Sequence, residues 1–207
     1  MSALVNGLAT MGVVATELQQ QLWLQYLELL HKWNTAYNLT AVRDPEVMLS
    51  RHLFDSLSIS PHITGQTILD VGAGAGLPSI PLAILWPDRE IQAVDSNGKK
   101  VRFMQLAASA LGLVNFSAVQ TRVERWLPGR QFDGITCRAF ASLADTVKWS
   151  EHLLSPEGVF WAMKGRVDPD ELSALPKPFM VSACLPLQIP SEQAARHLLV
   201  IRRNPCL

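Results

Sequence analysis

With 207 residues, 48% of them hydrophobic and 17% charged, the chain can bury a sizeable core and falls outside the disordered class. No uncharged apolar run approaches the roughly 18–20 residues of a membrane-spanning helix. No Lys or Arg precedes Lys32, where a secretory or transit signal would place one, so a cytoplasmic protein is expected. Cys137, Cys184 and Cys206 are odd in number and far apart, which excludes a disulfide framework and gives no support to a metal site. The net charge of zero conceals a gradient: residues 1–95 carry four Lys/Arg against nine Asp/Glu, residues 96–207 fourteen against nine. Such asymmetry marks either a solvated basic face or a surface that meets a polyanion.

In chain order, Thr16 and Gln19 make a capping box, followed by apolar residues at Leu18, Leu22, Tyr26, Leu29, Leu30 and Trp33. This predicts a helix that ends before a turn over Asn34–Asn38. Asp44-Pro45 supplies the cap and first-turn proline of a second helix, through about Leu57. From residue 66 strands and helices alternate, which predicts an open α/β sheet. Strands are expected at Thr67–Val71, Glu90–Asp95, Asn115–Gln120, Gly134–Cys137, Val159–Met163, Met180–Leu187 and His197–Arg202. Helices are expected at Pro78–Leu85, Asn97–Leu111, Ser142–Leu154 and Pro169–Ala174, with Gly112 ending the second. No crossover helix separates the last two strands, so they form an antiparallel hairpin at the edge of a seven-stranded, mostly parallel sheet with helices on both faces.

The stretch Asp70-Val71-Gly72-Ala73-Gly74-Ala75-Gly76-Leu77-Pro78 runs from a β-branched strand into a glycine-rich loop and then a helix. Ligand crevices of open α/β sheets lie beyond such strand ends. A dinucleotide site is written GxGxxG, with the pyrophosphate on the helix N-terminus; here the spacing is GxGxG and position 77 is Leu. Asp70 suits a cofactor with an amino-acid moiety, whose ammonium a carboxylate can hold. Asp95, ending the next strand, is placed to accept from two ribose hydroxyls. These features point to S-adenosylmethionine in preference to NAD, against the plain alternative of two turn-capping carboxylates.

Four blocks together resemble the bacterial methyltransferase G of small-subunit ribosomal RNA, the glucose-inhibited division protein B family. They are Lys32-Trp33-Asn34 with Asn38-Leu39-Thr40, Arg43-Asp44-Pro45 and Arg51 to Leu57; Asp70 to Ala83; Asp95 to Lys100 with Phe103; and Arg122-Val123-Glu124, Arg138 to Leu143, Lys164-Gly165 and Arg196-His197-Leu198. The resemblance implies a class I, Rossmann-like methyltransferase that moves a methyl group from S-adenosylmethionine to guanine N7 in 16S rRNA. It also implies a helical segment at 1–64 and a cofactor-binding domain at 65–207, packed as one unit. The cofactor residues would be Gly72, Gly74, Gly76, Leu77, Asp95, Val123, Glu124 and Arg138, with Val123-Glu124 at the adenine. Ala73, Ser79 and Asn97 depart from the family's common residues and bear on affinity, not on the reaction.

Guanine N7 carries a free lone pair at neutral pH, so no general base and no metal is expected. Arg138 is the candidate bridge between cofactor and base, and Asn38, Arg51, Lys99, Lys100 and Lys164 are substrate-side candidates. Lys99, Lys100, Arg102, Arg122, Arg125, Arg130, Lys164, Arg166, Arg202 and Arg203 are expected to meet phosphates. His52 and Asp55, at i,i+3 on one helix, read as a structural hydrogen bond. A monomer acting on 16S rRNA, the small subunit or its precursor follows. The alternatives are a non-catalytic ribosome-assembly factor with a methyltransferase fold, or a class I enzyme for a small molecule or protein.

Overall fold

The computed structural model describes residues 2–204; Cys206 lies outside them. Seven strands make one sheet: β1 (Thr67–Val71), β2 (Glu90–Asp95), β3 (Phe116–Gln120), β4 (Phe132–Arg138), β5 (Leu154–Lys164), β6 (Phe179–Pro186) and β7 (His197–Arg203). Their order is β3-β2-β1-β4-β5-β7-β6. β7 pairs antiparallel with both β5 and β6, and the other neighbours pair in parallel. The expected edge hairpin is β6–β7.

Alternation of side chains sorts the core into two layers. Ile68, Trp161, Leu198 and Val200 face one layer; their chain neighbours Leu69, Phe160, Leu199 and Ile201 face the other. The first layer receives α1 (Ser2–Thr10), α2 (Glu17–Tyr37), α5 (Ser79–Leu85) and α6 (Gly98–Ala110). The second receives α7 (Leu143–Ser150) and the flank of α8 (Pro169–Ser173). Strands covered on both sides must be apolar almost throughout, as β1 and β5 are.

Between α2 and β1 the chain forms α3 (Pro45–Met48), a π-helical turn over Leu49–Phe54, and α4 (Asp55–Leu57). The Asp44 carboxylate accepts from the Glu46 N–H at 2.9 Å and caps this segment. α1 carries no cap or charge signal and is absent from the sequence-based elements. Its mid-helix Gly7 leaves room for the Phe54 ring, into which any side chain there would run.

α2 corrects two expectations. It runs on to Tyr37 instead of ending before Asn34, and its buried face is Trp23, Tyr26, Leu27, Leu30 and Asn34, leaving Leu18 exposed. The reason is Asn34 itself: its amide donates to the Val42 carbonyl at 3.1 Å and accepts from the Thr40 N–H at 2.9 Å. A residue that reads as a turn former is thus a buried staple for the loop beyond the helix.

The same helix fixes the start of the crevice. Trp23 Nε1 donates to the Pro81 carbonyl, and the Tyr26 hydroxyl donates to the Ala75 carbonyl at 2.9 Å. Burial raises the Tyr26 pKa, so the phenol stays a donor. The N-terminal segment thereby holds the glycine-rich loop from below.

Candidate cofactor and substrate site

A crevice opens at the C-terminal ends of β1, β2 and β4, where the strand order reverses direction. It has two chambers. One, about 530 Å³, is lined by Leu39, Thr40, Arg51, His52, Asp55, Gly72–Ala75, Leu77, Arg138, Lys164 and Arg196 among others. The second, about 370 Å³, is lined by Asp95, Thr121, Val123, Glu124, Phe140 and Trp149. Gly72, Lys100 and Ala139 border both. Each chamber is of the size that takes a small organic group.

The glycine loop is tied inward. The N–H groups of Gly72 and Ala73 donate to the Val94 carbonyl, and those of Gly76 and Leu77 donate to Ala73. Gly74 N–H donates to Asp95 Oδ2 at 2.9 Å. A loop whose amides are engaged in this way offers no nest for a pyrophosphate. Gly72 and Gly74 both lie in the left-handed region, at φ 69° and 61°. A side chain on Gly72 would overlap the Phe140 ring, whereas one on Gly74 would meet open space.

Asp70 is corrected by the structure. Its carboxylate is buried beneath the loop, accepts from the Ser79 N–H at 3.2 Å, and borders neither chamber. Burial pushes its pKa up to about 7. It therefore ties the loop to α5 and does not reach a ligand's ammonium. Gly76 likewise borders neither chamber; it faces Ile80 and Met104.

Asp95 Oδ1 accepts from the Asn97 N–H at 2.8 Å, so each of its oxygens holds one backbone amide and keeps a lone pair. Lys100 Nζ lies 3.9 Å from Oδ2. Val123 is buried on the 3₁₀ turn Val123–Arg125, with Glu124 beside it on the chamber wall. Trp149, packed edge-on to Phe140 at 6.0 Å, completes that wall. It was missing from the sequence candidates because α7 reaches the chamber only through tertiary packing.

Arg138 ends β4 and faces the larger chamber. Its Nη1 donates to Asp55 Oδ2 at 3.0 Å and to the Arg51 carbonyl at 3.1 Å. Asp55 Oδ1 accepts from Arg196 Nε at 3.3 Å. Arg51 Nε donates to Glu192 at 2.8 Å, and Lys164 Nζ to Glu171 at 2.6 Å. Every cation of this chamber thus has an acidic neighbour. His52 bonds Thr40 through Nε2 at 2.9 Å and does not bond Asp55, which corrects the expected i,i+3 pair. Burial and the nearby Arg138 hold His52 down at about 4, so it is neutral at pH 7. Burial pushes the Cys137 thiol up to about 12.

The other substrate candidates scatter. Asn38 caps α2 at φ 50° and accepts from Arg43, away from both chambers. Lys99 is exposed outside them. Of the residues expected on phosphates, Arg130 forks onto Glu90 at 2.7 and 2.8 Å. Arg203 donates to carbonyls at Ser155 and Pro156. Both sit at the end of the sheet opposite the crevice, since Glu90 starts β2 and Arg203 ends the antiparallel β7. The expected single basic surface does not form. No group of His, Cys, Asp or Glu able to hold a metal occurs among the described residues.

Residues 19–199 match the protein family described as rRNA small subunit methyltransferase G. The chain belongs to this family. It is 50% identical to ribosomal RNA small subunit methyltransferase G of Stutzerimonas stutzeri, covering 97% of this chain and 94% of that protein. The Shewanella halifaxensis protein of the same name is 46% identical over 99% of this chain and 100% of its own. Among solved structures, a SAM-dependent methyltransferase from Aquifex aeolicus superposes with a TM-score of 0.57 at 17% identity, over 76% of this chain and 93% of that one. A Rossmann-superfamily protein from Streptococcus agalactiae gives 0.59 at 14% identity, over 72% and 68%. At such identities these likenesses show the α/β fold alone. Among the described residues no helix is long and apolar enough to cross a membrane.

Proposed function

We propose that this chain is an S-adenosylmethionine-dependent methyltransferase acting on N7 of a guanine in 16S rRNA. The observation that carries the reading is the glycine loop with its amides tied inward beside Asp95, which suits an uncharged ribose and excludes a pyrophosphate. Membership of the methyltransferase G family gives the substrate class. The residues present fit the cofactor. Asp95 has a lone pair on each oxygen for ribose hydroxyls, Val123 and Glu124 offer an apolar face and a polar edge for adenine, and Gly72, Gly74, Leu77 and Arg138 border the larger chamber.

When bound, S-adenosylmethionine supplies a methyl group on a positively charged sulfur. Guanine N7 presents its lone pair unprotonated, so no side chain of the crevice has to take a proton. The groups present agree: His52 is neutral and bonded to Thr40, Asp55 lies between two arginines, and the Cys137 thiol is far from ionising. What remains for the chain is alignment, an effect that contributes roughly 7–11 kcal/mol at most. Arg138 keeps Nε and Nη2 free of protein partners. Toward guanine those donors can serve O6, while N7 must stay open to react. The N7 edge lies in the deep groove of A-form RNA, so the target guanine is unpaired or extruded, in free rRNA or in a precursor particle.

On this reading residues 1–64 support the loop and rim the larger chamber, while residues 65–207 hold the cofactor. The enzyme works as a cytoplasmic monomer. The test is purified protein with labelled cofactor and undermethylated 30S particles, followed by mapping of methylated guanines. Label at one guanine N7 is the expected result. Label in protein or small molecules only, or cofactor binding without turnover, would overturn it in favour of another substrate or an assembly factor.

A further inference from the structure

Asp55 is the one acidic side chain that joins the arginines of the larger chamber to each other. It is 4% exposed, yet it stands between two guanidiniums from distant parts of the chain, 83 and 141 residues away. Arg138 comes from the end of β4 and Arg196 from the residue before β7, while Asp55 belongs to the helical N-terminal segment. Each of its oxygens serves a different arginine, at 3.0 and 3.3 Å.

We propose that Asp55 is a positioning residue that fixes the Arg138 guanidinium for the cofactor and base. Nη1 of Arg138 has two hydrogens, and both are taken, one by Asp55 and one by the Arg51 carbonyl. The planar fork then has one orientation, and its Nη2 and Nε edge is the part left for a ligand. An arginine pinned in this way loses little rotamer freedom when a ligand arrives, which is how preorganisation raises affinity. Asp55 also separates two like charges that would otherwise repel each other across the same wall. The wide π-helical turn just before Asp55 places the carboxylate there: Asp55 N–H bonds back to Ser50 and His52 across the turn.

The inference rests on Arg138 serving the cofactor, as proposed above, and a double-mutant cycle separates the two ideas. The measurement is calorimetric binding of S-adenosylhomocysteine to Asp55→Asn, Arg138→Met and the double variant, with near-ultraviolet dichroism reporting the fold. Asp55→Asn is expected to weaken binding by about tenfold in the native background and by less than about twofold once Arg138 is Met, since contacting charged groups couple strongly. Asp55→Glu keeps the charge and moves it by one methylene, and its expected loss is intermediate and equally dependent on Arg138. Losses that add instead of coupling would overturn the inference, as would full affinity in Asp55→Asn. If neither Asp55 variant holds the native fold, Asp55 belongs to stability alone and the proposal is lost. Full affinity in Arg138→Met defeats the cofactor role of Arg138 first.

Discussion

On the Asp95 side of the crevice, the polar contacts join neighbours: Gly74 to Asp95, Asp95 to Asn97, Asp70 to Ser79. On the Arg138 side they join Asp55 to Arg138 and Arg196, Arg51 to Glu192, and Lys164 to Glu171, most of them from separate elements. The first half is shaped by backbone and by residues close in sequence, and the second is assembled by the fold. A site built on local backbone resists change at single glycines, whereas one built on ion pairs responds to salt and to pairwise substitution.

The sharpest way to break the comparison is Gly72→Ala. The left-handed backbone costs about 1–2 kcal/mol, and displacing the Phe140 ring adds about 1–3 kcal/mol. Urea unfolding should show the sum, while Gly74→Ala, which meets open space, should show only the backbone part. Equal losses would mean that the ring does not confine the loop.

Titration should separate the halves by sign. Asp70 has its pKa raised to about 7, so its contribution is full below about 4 and is lost as pH rises through 7. Asp70→Asn should therefore gain on the native protein across that window, by roughly 5–10 °C in Tm. His52, lowered to about 4, contributes above about 6.5 and loses that contribution as pH falls through 4. His52→Gln should gain on the native protein in acid, the opposite trend. Parallel melting curves from pH 4 to 8 check both.

A smaller effect is expected at the rim. Arg51→Gln should raise the apparent KM for RNA with little change in kcat and lower the salt slope of binding by about one, leaving S-adenosylhomocysteine affinity intact. Lys99→Gln, outside both chambers, should change that slope by less than about half as much. A larger effect at Lys99 than at Arg51 would place the RNA path over α6 instead of over the Arg138 chamber.

Legibility in the sequence follows the same division. β1 and β2 stand at the predicted residues, because continuous apolar runs bounded by glycine, proline and aspartate leave little choice. The glycine loop and Asp95 were readable as a unit because they are near in sequence. Asp70 was readable as special but not in its direction, since only packing shows that it points under the loop to Ser79. Arg196, Glu192 and Trp149 reach the crevice through β7, the loop before it and α7, and no local pattern links them to residues 51–55. Asn34 misled because its turn preference is overridden by two tertiary hydrogen bonds.

The π-helical turn over Leu49–Phe54 sets a limit on how this chain can change length. A π turn carries about one residue more than an α turn. Deleting any single residue within it would restore ordinary winding and swing everything that follows by about 100° around the helix axis. Asp55 would then leave both guanidiniums at once, so this short stretch should tolerate substitutions far better than deletions.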